Sequence, residues 1–258
     1  MKPWVGVMVA GLCFAAEAAA SVQTQAIDYR DGETVLEGYL AFDDAVPGPR
    51  PGVLVVHEWK GLNEYAKRRA RQLAELGYVA FAVDMYGKGV LAKDHQEAAQ
   101  LSGVYRSDRS LMRKRILAGL AVLMTQPQVD AARLAAIGYC FGGTTVLELA
   151  RSGAPVKGVV SFHGGLDSPD PDAGKAITAK VLVLHGAEDR FVAPEQMAAF
   201  KGELDAAGVD YRIIEYPGAV HGFTVAEAGN DPSTGVAYNP EADRKSWEEL
   251  RTFLAKIF

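Results

Sequence analysis

Gly138-Tyr139-Cys140-Phe141-Gly142 separates a short apolar strand, predicted at 134–138, from a helix predicted to end at Gly153. Its spacing is that of the nucleophile elbow Gly-x-Ser-x-Gly, with cysteine in place of serine, and that motif joins a strand to a helix. The two glycines flank the point where strand and helix crowd together, so a side chain at either would open the turn. A buried structural cysteine beside a glycine turn is the alternative, because free cysteine is among the most buried residue types.

Strands and helices alternate along the rest of the chain. An alternating stretch from 27 to 42 around Asp31-Gly32-Glu33 predicts a hairpin. The other predicted strands are 53–56, 79–83, 134–138, 156–162, 181–184 and 211–216. The predicted helices besides the one after the elbow are 63–76, 94–124, 194–207 and 240–257. This order predicts an α/β protein with a mostly parallel central sheet and helices on both faces.

The composition is that of a soluble globular protein. The 258 residues are 49% hydrophobic and 23% charged, which excludes disordered, collagen-like and coiled-coil proteins. One α/β domain of this size is common, so we predict a single domain over 21–258. The 27 Lys and Arg against 32 Asp and Glu give a formal charge of -5, and no long basic run offsets it locally. Nucleic acid is therefore not predicted as a partner.

The amino terminus has the features of a signal peptide. Lys2 precedes an apolar stretch at 4–16 that is too short to cross a bilayer, and Ala18-Ala19-Ala20 supplies a cleavage signal before Ser21. We therefore predict a signal peptide over 1–20, a periplasmic or secreted protein, and no membrane attachment after cleavage. A buried amino-terminal helix is the alternative. Cleavage would remove Cys13, one of two cysteines, and leave the other as a free thiol.

Polar residues that end buried strands are the candidates for catalysis, because ligands bind at the carboxyl ends of parallel strands. Four stand out: Glu58, Cys140, Asp189 and His221. A nucleophile, an acid after the next strand but one and then a histidine is the chain order of the α/β-hydrolases. Cys140 would attack, His221 would move the proton, and Asp189 would orient the imidazole. Glu188 is an alternative acid.

The remaining histidines indicate neither a metal site nor a cofactor site. His57, His163 and His185 follow strands and are best interpreted as hydrogen-bonded strand-end residues. No His, Asp, Glu or Cys spacing matches a metal motif, and the glycines near the elbow lack a phosphate-loop lysine. We therefore predict no metal and no cofactor.

Four segments together resemble one known family. They are Gly138-Tyr139-Cys140-Phe141-Gly142-Gly143, His57-Glu58, Gly186-x-x-Asp189 and His221-Gly222-Phe223. They are similar to the dienelactone hydrolase family (carboxymethylenebutenolidases) of α/β-hydrolases, from about Val35 to the carboxyl terminus. The resemblance implies a Cys140, Asp189 and His221 triad. It also implies an oxyanion hole formed by the main-chain N–H groups of Trp59 and Phe141, and a Glu58 carboxylate that contacts the thiol in the resting enzyme.

One departure from the family bears on the substrate. Dienelactone hydrolases place an arginine shortly after the catalytic histidine, whereas Thr224-Val225-Ala226 stands there in this chain. Arg106, Arg109 or Arg113 could supply the cation, although a solvated helix face explains them equally well. Val225 and the long loop to Asn239 favour a more apolar pocket.

We therefore predict a monomer or small homo-oligomer that cleaves a small ester or lactone through a thioester, and the sequence leaves open whether the substrate carries a carboxylate. A non-catalytic ligand-binding protein and a thiol redox sensor on the same fold are the alternatives. Neither of those roles requires an acid and a base in this chain order.

Overall fold

The structure is a computed structural model and describes Met1, residues 22–170 and residues 172–258. Among these residues eight strands form one sheet in the order β1-β2-β4-β3-β5-β6-β7-β8. The strands are β1 (Val22–Asp31), β2 (Thr34–Asp43), β3 (Arg50–Val56), β4 (Val79–Val83), β5 (Val129–Tyr139), β6 (Gly158–Phe162), β7 (Lys180–Gly186) and β8 (Tyr211–Tyr216). The helices of eight or more residues are α1 (Glu64–Glu75), α2 (His95–Ser107), α3 (Arg109–Met124), α4 (Phe141–Arg151), α5 (Pro194–Ala207) and α6 (Pro240–Ile257).

Most of the sheet is parallel. β1 and β2 form the predicted antiparallel hairpin, joined at Gly32-Glu33, and β2 pairs antiparallel with β4. From β4 to β8 every neighbouring pair of strands is parallel. The predicted mostly parallel sheet with helices on both faces is confirmed. The carboxyl ends of β3, β5, β7 and β8 consequently lie along the same edge of the sheet.

The strands are buried on both faces, which explains their continuous apolar sequence. In β3, Val53 and Val55 pack in the core on the side of α1 and α6. Leu54 and Val56 face the opposite core, formed with α3, α4 and α5. One layer of the core thus takes the odd positions of this strand and the other takes the even positions.

Two predicted boundaries differ from the structure in ways that have a local cause. The helix predicted over 94–124 is two helices, because the Asp108 side chain accepts from Leu111 N at 2.9 Å and starts α3 there. β5 begins at Val129 rather than at 134, and its first residues pair with Arg50 and Pro51 before the register shifts.

The predicted signal peptide, residues 1–20, lies outside the described residues apart from Met1. None of the helices found within 22–170 and 172–258 is long and apolar enough to cross a bilayer.

Candidate active site

Cys140 lies in a sharp turn between β5 and α4. Its φ of 54° is in the left-handed region, which a residue with a side chain rarely adopts. The turn is held by a hydrogen bond from Cys140 N to Phe162 O at 3.0 Å and by one from Gly143 N to Cys140 O at 3.0 Å. Strain of this kind is stored at functional sites and places the thiol at the start of a helix.

The glycines around Cys140 are required by close backbone contacts. A Cβ at Gly138 would lie 2.0 Å from Gly142 O, and a Cβ at Gly142 would lie 2.3 Å from Val56 O. At Gly143 it would lie 2.7 Å from Ser161 Oγ. These distances are too short for any side chain, as the sequence argument about crowding expected.

The structure brings Cys140, His221 and Asp189 into one hydrogen-bonded chain. The Sγ atom of Cys140 lies 3.1 Å from Nε2 of His221, and Nδ1 of His221 lies 2.8 Å from Oδ2 of Asp189. The Asp189 side chain is fully buried, whereas 15% of the His221 side chain is exposed. Glu188 is exposed and accepts instead from Gly218 N at 3.0 Å. Asp189 is therefore the acid that binds this imidazole.

The surroundings of His221 favour its charged form. Burial lowers the pKa of His221, but the adjacent Cys140 sulfur and the hydrogen-bonded Asp189 carboxylate outweigh burial and raise it to about 10. The imidazole therefore carries a proton on each nitrogen at neutral pH. Such an imidazolium can stabilise a thiolate and deliver a proton to a leaving group.

Two aromatic rings contact the His221 imidazole edge to face. The His163 ring is fully buried, and its centroid lies 5.2 Å from that of His221 at an angle of 66°. The Phe191 ring lies at the same centroid distance at 73°, but 59% of Phe191 is exposed. The imidazole thus has one neighbour in the interior and one at the surface.

A buried polar network behind His163 was missed by the sequence analysis. His163 Nε2 lies 2.8 Å from Thr224 Oγ1, which lies 2.6 Å from the Tyr65 hydroxyl. Arg69 donates to that hydroxyl from Nε at 3.3 Å and from Nη2 to Asp243 Oδ1 at 2.5 Å. Tyr65 and Thr224 are 159 residues apart, and no local motif connects them. The network ties the segment after His221 to helices α1 and α6.

Glu58 lies beside this chain of groups but is not hydrogen-bonded to the thiol. Burial raises the pKa of the half-buried Glu58 to about 7, although the charges of His221 and Lys60 counteract part of that rise. Within 22–170 and 172–258, no hydrogen bond joins Glu58 to Cys140, whose sulfur pairs with His221 instead. The Glu58–thiol contact that the resemblance implies is therefore not made as a hydrogen bond among the described residues, and it stays a prediction.

His57 fixes the turn that carries Glu58 and Trp59. Its Nδ1–H donates to Glu58 O at 2.5 Å, and its Nε2 accepts from Met85 N at 3.2 Å. Burial lowers the pKa of His57, which keeps this ring neutral. The Trp59 carbonyl accepts from the Tyr86 hydroxyl at 2.9 Å. His57 therefore has the structural role that the sequence predicts.

The two predicted oxyanion donors are main-chain amides that have no acceptor among the described residues. Trp59 N is in the turn after β3, and Phe141 N is the first amide of α4. Both belong to the carboxyl-terminal edge of the sheet where the α/β-hydrolase motif places such donors.

Two of the three candidate arginines are committed elsewhere. Arg113 Nε binds Glu148 Oε2 at 2.8 Å, and Arg109 pairs with Asp167. Glu148 is fully buried, so these arginines stabilise α4 and do not form the predicted solvated face. Arg106 is exposed, and its charge lowers the pKa of Tyr86 against the larger opposing effect of burial. Outside the masked residues, no group of three His, Cys, Asp or Glu residues is placed to hold a metal ion.

A family comparison covers most of the chain. The model of the dienelactone hydrolase family matches residues 36–258. The chain belongs to this family. The resemblance and the predicted α/β-hydrolase fold are both confirmed, and the protein is a member of a hydrolase family.

Known dienelactone hydrolase relatives are similar over most of their length. A Yersinia pestis protein named "Putative carboxymethylenebutenolidase" is 29% identical over 226 residues, which are 83% of this chain and 81% of that protein. A Bradyrhizobium protein named as a probable 2-oxo-3-(5-oxofuran-2-ylidene)propanoate lactonase is 28% identical over 246 residues, or 91% of this chain and 96% of the relative. The crystal structure of a dienelactone hydrolase-like promiscuous phosphotriesterase from metagenomic libraries is 41% identical. It has a TM-score of 0.89 and covers 93% of this chain and 100% of that chain.

Proposed function

We propose that this dienelactone hydrolase-family protein hydrolyses a small ester or lactone through Cys140. The observation that carries the proposal is the chain of contacts from Cys140 Sγ through His221 to Asp189, at 3.1 and 2.8 Å. An imidazole turned away from the sulfur, or an acid that did not reach Nδ1, would be incompatible with nucleophilic catalysis. The similar proteins named as a carboxymethylenebutenolidase and a lactonase support the same substrate class.

The reaction follows from the positions of these groups. The Cys140 sulfur attacks the carbonyl carbon and forms a C–S bond, while the main-chain N–H groups of Trp59 and Phe141 stabilise the oxyanion. The C–O bond then breaks, and the His221 imidazolium gives its Nε2 proton to the leaving alkoxide. His221, now neutral, takes a proton from water, and the resulting hydroxide attacks the thioester and releases the sulfur. In a lactone the leaving alkoxide remains attached to the acyl group.

The charge of Glu58 affects how readily the Cys140 sulfur ionises. A carboxylate beside a thiolate is repelled by it, so ionised Glu58 disfavours the charged sulfur and protonated Glu58 does not. Because its pKa is about 7, Glu58 changes charge near neutral pH. We assign it an electrostatic role, distinct from the proton transfers of His221.

The test compares wild type with Cys140→Ala and Cys140→Ser on a panel of small esters and lactones, with and without a carboxylate. An aryl phosphotriester is included because one similar structure is named a phosphotriesterase. We expect Cys140→Ala to remove turnover of every substrate that the wild type hydrolyses. Mass spectrometry of the wild type, quenched during turnover, should show the acyl mass on the peptide that contains Cys140. Unchanged hydrolysis by Cys140→Ala would contradict the proposal.

We also propose that the protein acts outside the cytoplasm, after removal of residues 1–20. The sequence pattern at Ala18-Ala19-Ala20 supports this proposal, and the mature chain would then keep Cys140 as its sole thiol. Sequencing the amino terminus of the protein produced in a bacterium with an intact export pathway tests it. A chain that begins at Ser21 is expected, and retention of Met1 in all the protein would contradict export by this route.

A further inference from the structure

Phe191 interacts with both Asp189 and His221. Its main-chain N–H donates to Asp189 Oδ1 at 2.9 Å and so helps to hold the acid. Its aromatic ring contacts the His221 imidazole and yet is 59% exposed. An exposed aromatic ring in contact with this imidazole is free to pack against the aromatic part of a bound molecule.

Of the two aromatic rings that contact His221, only Phe191 is exposed. The other aromatic neighbour of the imidazole, His163, is fully buried, so no substrate can approach through it. A substrate that reaches the 15% of the His221 side chain open to solvent therefore has the Phe191 ring, and not the His163 ring, as its accessible aromatic neighbour.

The proton transfer from His221 determines which part of the substrate lies near the Phe191 ring. The leaving oxygen must come within hydrogen-bond distance of His221 Nε2 to receive its proton. The acyl carbon is bonded at that moment to the Cys140 sulfur, and its oxygen faces the N–H groups of Trp59 and Phe141. The substituent on the leaving oxygen is thus the part of the substrate that extends along His221 towards Phe191.

A second exposed apolar residue lies on the loop that pairs with the main chain of His221. Val236 forms a main-chain bridge with His221, where Ala237 N donates to His221 O at 3.1 Å, and 36% of Val236 is exposed. Arg190, which precedes Phe191, donates from Nη2 to Ser233 O at 2.8 Å. Its guanidinium is bound to the loop, which leaves Phe191 and Val236 as the exposed apolar side chains of these two segments.

We propose that Phe191, with Val236, forms a leaving-group subsite that selects esters whose leaving group is aromatic and uncharged. This inference rests on the proposed ester hydrolysis and adds the chemical class of the alcohol half of the substrate. Contact between the Phe191 ring and an aromatic leaving group favours those substrates over ones with a small alkyl leaving group.

The test uses benzyl acetate and ethyl acetate, which share an acyl group and have leaving alkoxides of similar basicity. We expect Phe191→Ala to lower kcat/KM for benzyl acetate by roughly two- to tenfold and to leave kcat/KM for ethyl acetate nearly unchanged. Phe191→Leu should give a smaller loss with benzyl acetate, and it carries the test if the alanine variant is poorly folded. Leu117→Ala is the matched control, because it removes an exposed apolar side chain from α3, and it should change neither value.

Two results would overturn the inference while leaving the hydrolysis intact. An equal fall with both esters would mean that Phe191 only braces Asp189 and His221. An unchanged kcat/KM for both esters would mean that its ring does not meet the leaving group. Failure of the proposed function has a different signature, since the wild type would then show no hydrolysis of either ester that depends on Cys140.

Discussion

Asp189 holds His221 with one carboxylate oxygen and is itself held through the other. Oδ2 lies 2.8 Å from His221 Nδ1, while Oδ1 accepts from Phe191 N at 2.9 Å. Its neighbour Glu188 faces the opposite way, towards Gly218 N. The sequence alone left the acid ambiguous, because Glu188 and Asp189 both follow β7 and either fits the chain order. The two contacts assign the imidazole to Asp189.

Asp189→Asn is therefore expected to lower kcat by about 10³- to 10⁴-fold. The amide has an N–H group that can donate to Nδ1, and the imidazole would then carry its proton on Nε2 and could not act as a base. Steady-state kinetics on the best ester from the panel measures the loss. Glu188→Gln is the matched control and should retain near wild-type kcat, because its side chain only accepts from a loop amide. A larger loss in Glu188→Gln than in Asp189→Asn would assign the acid to the other residue.

The sequence could predict that the residues of the proposed triad lie close together, because each of them follows a strand. Cys140, Asp189 and His221 each follow an apolar strand, and parallel strands bring their carboxyl ends together at one edge whatever the loops do. The sequence could not identify Thr224 as a partner of Tyr65, because that contact depends on how α1 packs against a loop 159 residues away. Burial of Arg109 and Arg113 against Glu148 was hidden for the same reason, since charged residues on a helix look solvated until a buried acid is placed beside them.

One predicted helix is two helices in the structure. Residues 94–124 contain no proline, and their helical pattern continues through the break. The break at Asp108 depends on its side chain, which accepts from Leu111 N. An aspartate is compatible with a helix interior and also with an N-cap, and only the packing of α2 and α3 decides between them.

Glu58→Gln should change the pH dependence of stability. The pKa of Glu58 is 4.5 ordinarily and about 7 in the folded protein. Below pH 4.5 both states are protonated, whereas between 4.5 and 7 the folded state keeps a proton that the unfolded chain has lost. The wild type therefore loses stability through this group as pH rises across that window, and the loss persists above it. Glutamine has no such titration.

Thermal unfolding of the wild type and Glu58→Gln at pH 4.5, 6 and 8 checks this expectation. The Tm of the variant minus that of the wild type should rise with pH and level off above pH 7. Other carboxylates titrate in both proteins and cancel in the difference. A difference that stays constant from pH 4.5 to 8 would show that Glu58 does not titrate with a raised pKa.

Gly142→Ala should disrupt the elbow, because the added Cβ would lie 2.3 Å from Val56 O and 2.7 Å from His57 O. Overpacking of this kind typically costs about 1–3 kcal/mol, and here it also displaces the turn that carries Cys140. We expect a lower Tm and a large loss of turnover. Gly103→Ala is the control, since its Cβ would meet nothing within 4 Å and lies in helix α2. That variant should be more stable by about 0.5–1 kcal/mol with unchanged turnover, whereas equal effects at both glycines would refute the crowding argument.

Thr224→Val should weaken both stability and catalysis, because Thr224 links the Tyr65 hydroxyl at 2.6 Å to His163 at 2.8 Å. Arg69 also donates to the Tyr65 oxygen, and the Thr224 hydroxyl bridges that hydroxyl and His163 Nε2. Valine keeps the shape but leaves two buried polar groups unpaired, at about 1–3 kcal/mol for each. Thr224→Ser retains the hydroxyl and should restore most of the Tm and kcat. If Thr224→Val lowers Tm but leaves kcat unchanged, the network stabilises the fold without positioning His221. If serine fails to rescue either quantity, the threonine methyl group matters rather than its hydrogen bonds.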